Sequence, residues 1–164
     1  MPFDLAENFI SEAEELLGAK LPDSYRSSML MSNGGELEID DDVWQQYPIA
    51  DTSDRKRLSR TANHIIKETN HLKRWPGFPE EAVAIAGNGS GDQLVLLKEG
   101  ASFGQEIYIW AHETGKLKKN SQQFFRVNST LTTGSNRSLR SLGRAKARPL
   151  TKRYASGEFC AEYR

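Results

Sequence analysis

Residues 82–97 read AVAIAGNGSGDQLVLL, in which two short apolar runs flank a glycine-rich insert at 87–92. Short apolar runs bounded by Gly, Asn and Asp are typical of buried β-strands. Because Gly and Asn adopt positive φ at low cost, the insert reverses the chain direction easily. The stretch therefore predicts two strands, over about 82–86 and 93–98, joined by a turn.

Three kinds of ligand-binding loop resemble this insert, and each requires a feature that is missing. A dinucleotide-binding loop leads from a strand into a helix, whereas residues 93–97 show no helical period. A phosphate-binding P-loop needs Gly-Lys-Ser/Thr, which is absent. A calcium loop needs several carboxylates at alternating positions, and only Asp92 is available. We therefore interpret the insert as a hairpin turn, in which Asp92 accepts hydrogen bonds from backbone amides of the turn.

Hydrophobic periodicity around this stretch predicts helices first and a meander of strands afterwards. Asp4 is the expected N-cap of the first helix. The predicted elements are helices over 4–17, from Leu21-Pro22 to Asn33-Gly34-Gly35 and over 54–72, strands over 36–39, 43–49, 82–86, 93–98, 106–111 and 116–117, and a last short helix over 121–127. This order predicts an α+β fold, with a largely antiparallel central sheet flanked by helices.

Length and composition are typical of one domain with an extension. The chain has 164 residues, and no apolar run approaches the ~20 residues that span a bilayer. Met1-Pro2-Phe3-Asp4 contains no basic stretch followed by an apolar one, so we expect no signal peptide. The one cysteine, Cys160, excludes a disulfide framework or a cysteine-based zinc site within one chain. We expect a cytoplasmic protein without a membrane partner.

The net charge of zero hides a split along the chain. Residues 126–164 contain nine Lys/Arg and two Asp/Glu, whereas residues 1–125 contain 13 basic and 20 acidic residues. This pattern predicts an acidic domain over 1–127 and a basic C-terminal extension over 128–164, poorly ordered or loosely packed. The extension is either a solvated tail or a nucleic-acid binder that neutralises phosphates.

Residues that could carry catalysis or hold a metal show no supporting pattern. His64 and His71 would lie about 10.5 Å apart along one helix, too far for one metal ion. Ser90 lacks the strand–turn–helix setting of a nucleophile elbow, and Cys160 has no local motif. We therefore predict no catalytic, cofactor-binding or metal-binding residue, and no enzymatic activity.

An acidic run follows the second helix, with aromatic residues beside it. Three interpretations are open: a metal site, a solvated strand edge, or a patch that binds a partner through charge and an aromatic anchor. The residues of the predicted partner-binding patch are Glu36, Glu38, Asp40, Asp41, Asp42 and Trp44.

Two groups of residues resemble the SUKH superfamily. In that family a first helix is followed by Leu-Pro-x-x-Tyr, a short helix and Asn-Gly-Gly. The second half is similar as well, with Gly-Asp between two apolar strands and a Trp-ended strand before His112-Glu113. The residues that carry the resemblance are Leu21, Pro22, Tyr25, Asn33, Gly34, Gly35, Gly91, Asp92 and Trp110. The resemblance covers about residues 3–126 and leaves 128–164 without a counterpart.

The resemblance implies an α+β binding domain without a common catalytic motif. The family includes a fungal regulator of cell-wall synthesis, and its many bacterial members resemble immunity proteins that neutralise polymorphic toxins, often nucleases. It thus implies an immunity protein that binds a cognate toxin domain stoichiometrically, without a cofactor. The acidic patch would complement the basic cleft of a nuclease. A regulatory or scaffolding module, and a nucleic-acid binder acting through the tail, are the alternatives; the oligomeric state is not predicted.

Overall fold

Four helices and a seven-stranded sheet form the part of the chain that this computed structural model describes, residues 2–39 and 41–123. The helices are α1 (Glu7–Leu17), α2 (Asp23–Met31), α3 (Arg55–Arg60) and α4 (Ile65–Leu72). The strands are β1 (Gly35–Ile39), β2 (Asp42–Gln46), β3 (Ala82–Gly87), β4 (Gln93–Glu99), β5 (Ser102–Phe103), β6 (Glu106–Ala111) and β7 (Lys116–Gln123). The predicted α+β class is confirmed.

The sheet is antiparallel between all neighbouring strands, in the order β1-β2-β3-β4-β6-β7, with β5 paired to the end of β4. β1 and β2 form a hairpin in which Leu37 lies opposite Trp44. Only two residues of β2, Gln45 and Gln46, pair with β3. The β1–β2 hairpin therefore forms one margin of the sheet, and β1 is its outermost strand.

The glycine-rich stretch forms the predicted hairpin near the middle of the sheet. Ala82 pairs with Leu97 and Gly87 with Gln93, so the insert connects β3 directly to β4. Val83 and Ile85 pack in the larger core cluster, whereas Ala84 packs in a second cluster with Trp110. Burial on both faces explains why β3 has a continuous apolar sequence without alternation.

Three predicted helix boundaries are wrong. The first helix begins at Glu7 after Ala6, and Asp4 does not cap it. Instead, the Asp4 carboxylate accepts a hydrogen bond from the Arg57 side chain, at 3.2 Å between Oδ1 and Nη2. The predicted helix over 54–72 is two helices, because the Ile65 amide donates to the Pro48 carbonyl at 2.9 Å and His64 is extended.

The third difference lies at the end of the described chain. Residues 121–123 continue β7, which pairs with β6 from Ala111 opposite Lys116 to Glu106 opposite Gln123. Pairing with a neighbouring strand decides this segment, whose polar sequence has weak intrinsic preference. The rest of the helix predicted over 121–127 lies outside the described residues, as does the predicted extension 128–164.

Two carboxylates are buried and held by cations. Glu14 accepts hydrogen bonds from Lys20 Nζ at 2.8 Å and from the Leu21 amide at 2.9 Å, and it pairs with Arg26. Asp51 accepts from the Ser53 amide at 3.0 Å and from Arg57 Nη1 at 3.0 Å. Burial opposes ionisation of both groups, but these bonds outweigh it, so the pKa of each carboxyl is lowered.

Acid is therefore expected to destabilise the fold. A carboxyl whose folded-state pKa lies below its unfolded value stabilises the protein above the unfolded pKa and loses that contribution as pH falls through the folded one. The ordinary pKa values are 4.5 for Glu14 and 3.8 for Asp51. The free energy of unfolding, from urea titrations at pH 6 and pH 3, should fall, and it should fall less in a Glu14→Gln/Asp51→Asn double variant. If the free energy of unfolding fell equally in both proteins between pH 6 and pH 3, Glu14 and Asp51 would not be the source of the acid sensitivity.

Candidate binding surface

The Asn33-Gly34-Gly35 turn sets the position of the β1–β2 hairpin. The buried Asn33 side chain donates from Nδ2 to the Ile49 carbonyl at 2.9 Å and accepts the Ile49 amide at 2.8 Å. The Asn33 amide donates to the Phe3 carbonyl at 2.7 Å. Gly34 and Gly35 have φ of +88° and +121°, which side chains rarely allow. One asparagine thus joins the N-terminal segment, the start of β1 and the loop after β2.

The Leu21-Pro22 and Tyr25 residues of the resemblance are interior residues. Leu21 and Tyr25 pack in the main core, and Pro22 immediately precedes α2. Burial raises the pKa of the Tyr25 hydroxyl above its ordinary value. Its hydrogen bond with Gln46 lowers the pKa, but by less than burial raises it. These side chains hold the first two helices together and are not available to a partner.

Asp92 links the β3–β4 turn to the β6–β7 turn, and Trp110 links β6 to the loop that follows α4. Asp92 Oδ1 accepts the His112 amide at 3.0 Å, so the expected amide contact is made across to the β6–β7 turn and not within its own turn. A Cβ on Gly91 would lie 2.7 Å from His112 Nδ1. Buried Trp110 donates from Nε1 to the Gly77 carbonyl at 2.9 Å. Like the first group, these residues shape the fold.

The β1–β2 hairpin brings together the described acidic residues of the predicted patch. Glu36 and Glu38 are exposed on β1, and Asp41 and Asp42 are exposed where the hairpin turns. Gln45 lies opposite Glu36 and donates to its carboxylate at 2.8 Å. We call Glu36, Glu38, Asp41 and Asp42 the acidic hairpin; Asp40, between them in sequence, lies outside the described residues.

Trp44 does not belong to this surface, which corrects its assignment as a partner anchor. Its side chain is 2% exposed and packs in the main core. Successive side chains of a strand point to opposite faces, so the exposed positions beside it are Val43 and Gln45. Val43, 55% exposed, is the apolar side chain that the hairpin offers to solvent.

No lysine or arginine in the described ranges, 2–39 and 41–123, forms an ion pair with the acidic hairpin. Several other carboxylates of the domain are paired, including Glu106, which lies 2.6 Å from Lys119 Nζ. The acidic hairpin therefore carries negative charge that forms no ion pair with the described cations.

A cleft of about 540 Å³ adjoins the acidic hairpin. Glu36, Gln45, Arg60 and Asn63 are among the residues that line this hairpin cleft. Its remaining lining residues are Pro2, Phe3, Asn33, Gly34, Gly35, Gln46 and Pro48. The surface thus consists of the acidic hairpin and a cleft, and Glu36 belongs to both.

The sequence patterns do not indicate that Arg60 and Asn63 line a cleft with Glu36 and Gln45. Both were assigned to one continuous helix, whereas they lie at the break between α3 and α4. The Arg60 guanidinium stands 5.9 Å from the centre of the Phe3 ring. Within the described ranges, no three His, Cys, Asp or Glu side chains are grouped to hold a metal ion, and no helix is long and apolar enough to cross a membrane.

Comparisons with known proteins agree with the residue pattern. The model of the SMI1 / KNR4 family (SUKH-1) matches residues 4–127, more than half of the chain. No curated protein matches the sequence. The matched range includes both groups of motif residues, the whole β1–β2 hairpin, and Arg60 and Asn63 of the cleft.

Proposed function

The chain belongs to the SMI1 / KNR4 family (SUKH-1), and we propose that it is an immunity-type protein that neutralises a polymorphic nuclease toxin by stoichiometric binding. The partner is a cognate toxin domain, met in the cytoplasm, and inhibition needs no cofactor and no catalytic step. The domain that does this is residues 1–127, and residues 128–164 are a basic extension to it.

The observation that carries the proposal is an exposed acidic hairpin beside an open cleft, with no ion pair to it from any lysine or arginine that the structure describes. Nucleases bind phosphates with Lys and Arg, so the entrance to such an active site is positively charged. Complementary charge accelerates association and fixes the orientation of the two proteins. Glu36, Glu38 and the aspartates of the turn would cover that entrance, and the cleft would receive a projecting side chain of the toxin.

Charge reversal tests this surface. The double variant Glu36→Lys/Glu38→Lys is expected to raise the dissociation constant for the cognate toxin domain by about 10- to 100-fold, because attraction becomes repulsion. The effect should shrink at high salt, since screening weakens exposed charge pairs. Isothermal titration with the purified toxin domain at two salt concentrations measures both quantities.

Glu113→Lys is the control, because Glu113 is an exposed carboxylate in the β6–β7 turn, at the opposite end of the strand order from the hairpin. It should leave the dissociation constant within about twofold of the unmodified protein. Equal effects of the control and the double variant would refute the acidic hairpin as the contact surface. Deletion of 128–164 should leave toxin binding intact; salt-dependent RNA or DNA binding lost on that deletion would favour the nucleic-acid alternative.

A further inference from the structure

The outer edge of β1 presents backbone groups in a regular pattern. Ile39 pairs with Asp42 across the two-residue turn, and Leu37 and Gly35 pair with Trp44 and Gln46. In an antiparallel hairpin of this register, those three residues of β1 direct N–H and C=O groups toward β2. The intervening residues, Glu36 and Glu38, direct theirs away from the sheet.

This edge is uncovered in the part of the chain that the structure describes. No backbone hydrogen bond reaches Glu36 or Glu38 from outside the hairpin. Of the described N-terminal residues, Pro2 approaches β1 at Gly35, where its Cγ lies 3.7 Å from the position of a Cβ. Two donors and two acceptors, spaced two residues apart, are thus available to an added strand.

Charge decides what kind of strand fits. A residue placed opposite Glu36 or Glu38 would have its side chain on the same solvent-facing side, within reach of the carboxylate. Lys or Arg is favourable there, and Asp or Glu is not. A second copy of β1 would set glutamates against glutamates, so the edge disfavours self-association.

We infer that the partner adds an extended segment, with Lys or Arg at alternate positions, as a new antiparallel strand beside β1, at the end of the order β1-β2-β3-β4-β6-β7. The inference rests on the proposed function and specifies how the acidic hairpin would recognise its partner. Antiparallel pairing continues the pattern of every neighbouring pair in this sheet. Main-chain bonds would supply affinity, and the two glutamates would select a basic sequence.

Peptide probes test the backbone contact on the unmodified full-length protein. The probe is an acetylated and amidated peptide of about nine residues in which Lys and Val alternate. Its Lys residues would lie opposite the glutamates, and their backbone N–H groups would donate to the outward carbonyl groups of β1. N-methylation of the Lys amides should weaken binding at least about tenfold in an NMR titration, whereas N-methylation of the Val amides should not. Equal binding of the two methylated peptides, or no binding of the unmodified peptide, would overturn the inference.

A proline variant gives an independent test with the cognate toxin domain. Glu38→Pro removes the outward N–H but leaves the bonds of Leu37 and Ile39 to β2, and proline is tolerated at such edge positions. Glu38→Thr removes the same charge and keeps the N–H. The proline variant should bind about tenfold more weakly than the threonine variant, with far-UV circular dichroism confirming that both fold. If Glu38→Pro unfolds, the peptide pair decides the question.

These results separate the two proposals. If charge reversal weakens toxin binding but Glu38→Pro and Glu38→Thr bind equally, the surface is correct and strand addition is wrong. If charge reversal has no effect, the proposed contact surface fails, whatever the peptides do.

Discussion

Replacing Glu14 with alanine is expected to lower the free energy of unfolding by about 2–3 kcal/mol, since the buried Leu21 amide loses its acceptor and Arg26 loses one of its two carboxylate partners. The Glu14 side chain is 1% exposed, and one carboxylate serves Lys20, Arg26 and the Leu21 amide. It thereby joins the last part of α1 to the beginning of α2. Urea unfolding followed by circular dichroism measures the loss.

Glu15→Ala is the control for this variant. Glu15 is the next residue of α1 and is exposed, so its replacement changes helix propensity in the same way without breaking a buried pair. We expect a change within about 0.5 kcal/mol. A Glu14→Ala protein as stable as the Glu15→Ala protein would show that the buried pair does not stabilise the fold.

Replacing Trp110 with alanine should also cost about 3–5 kcal/mol, the usual range for a large aromatic side chain deleted from a core. Trp110 is fully buried, and its ring meets Phe78 edge-on at 5.1 Å between centroids. Its indole N–H also holds the Gly77 carbonyl of the loop that follows α4. The variant loses apolar packing and leaves that carbonyl without its donor.

Two companion variants separate these contributions. Trp110→Phe keeps most of the ring packing and should lose less than Trp110→Ala, by a margin measured in the same urea titrations. Trp75→Ala, which removes a tryptophan that is 41% exposed, should cost about 1 kcal/mol or less. If Trp75→Ala were as destabilising as Trp110→Ala, the loop after α4 would stabilise the fold more than the core cluster around Trp110 does.

The family motif and the proposed contact surface occupy different parts of the domain. Leu21, Tyr25, Asn33 and Trp110 are buried and build the scaffold. Glu36 and Glu38 stand on the outside of a hairpin that this scaffold positions. Motif residues therefore identify the fold, whereas the proposed contact surface consists of residues that the motif does not include.

The sequence determined the elements whose signals are local. The β3–β4 hairpin follows from two apolar runs and a turn rich in Gly and Asn. The predicted left-handed cap of α2 at Asn33-Gly34-Gly35 is wrong, because α2 ends at Met31 and Ser32 after it is extended. The sequence also placed Glu36 and Glu38 on one face, because alternation along a strand is a property of the chain itself.

Only the tertiary structure decided features that depend on residues distant in sequence. A tryptophan in a strand suits either a core or an interface, and its pairing opposite Leu37 put Trp44 inside. Apolar periodicity ran on through residues 61–64, but the bond from Ile65 to Pro48 ends one helix and starts another. That break brings Arg60 and Asn63 to the cleft beside Glu36. Such contacts form only when the chain folds, so no local pattern encodes them.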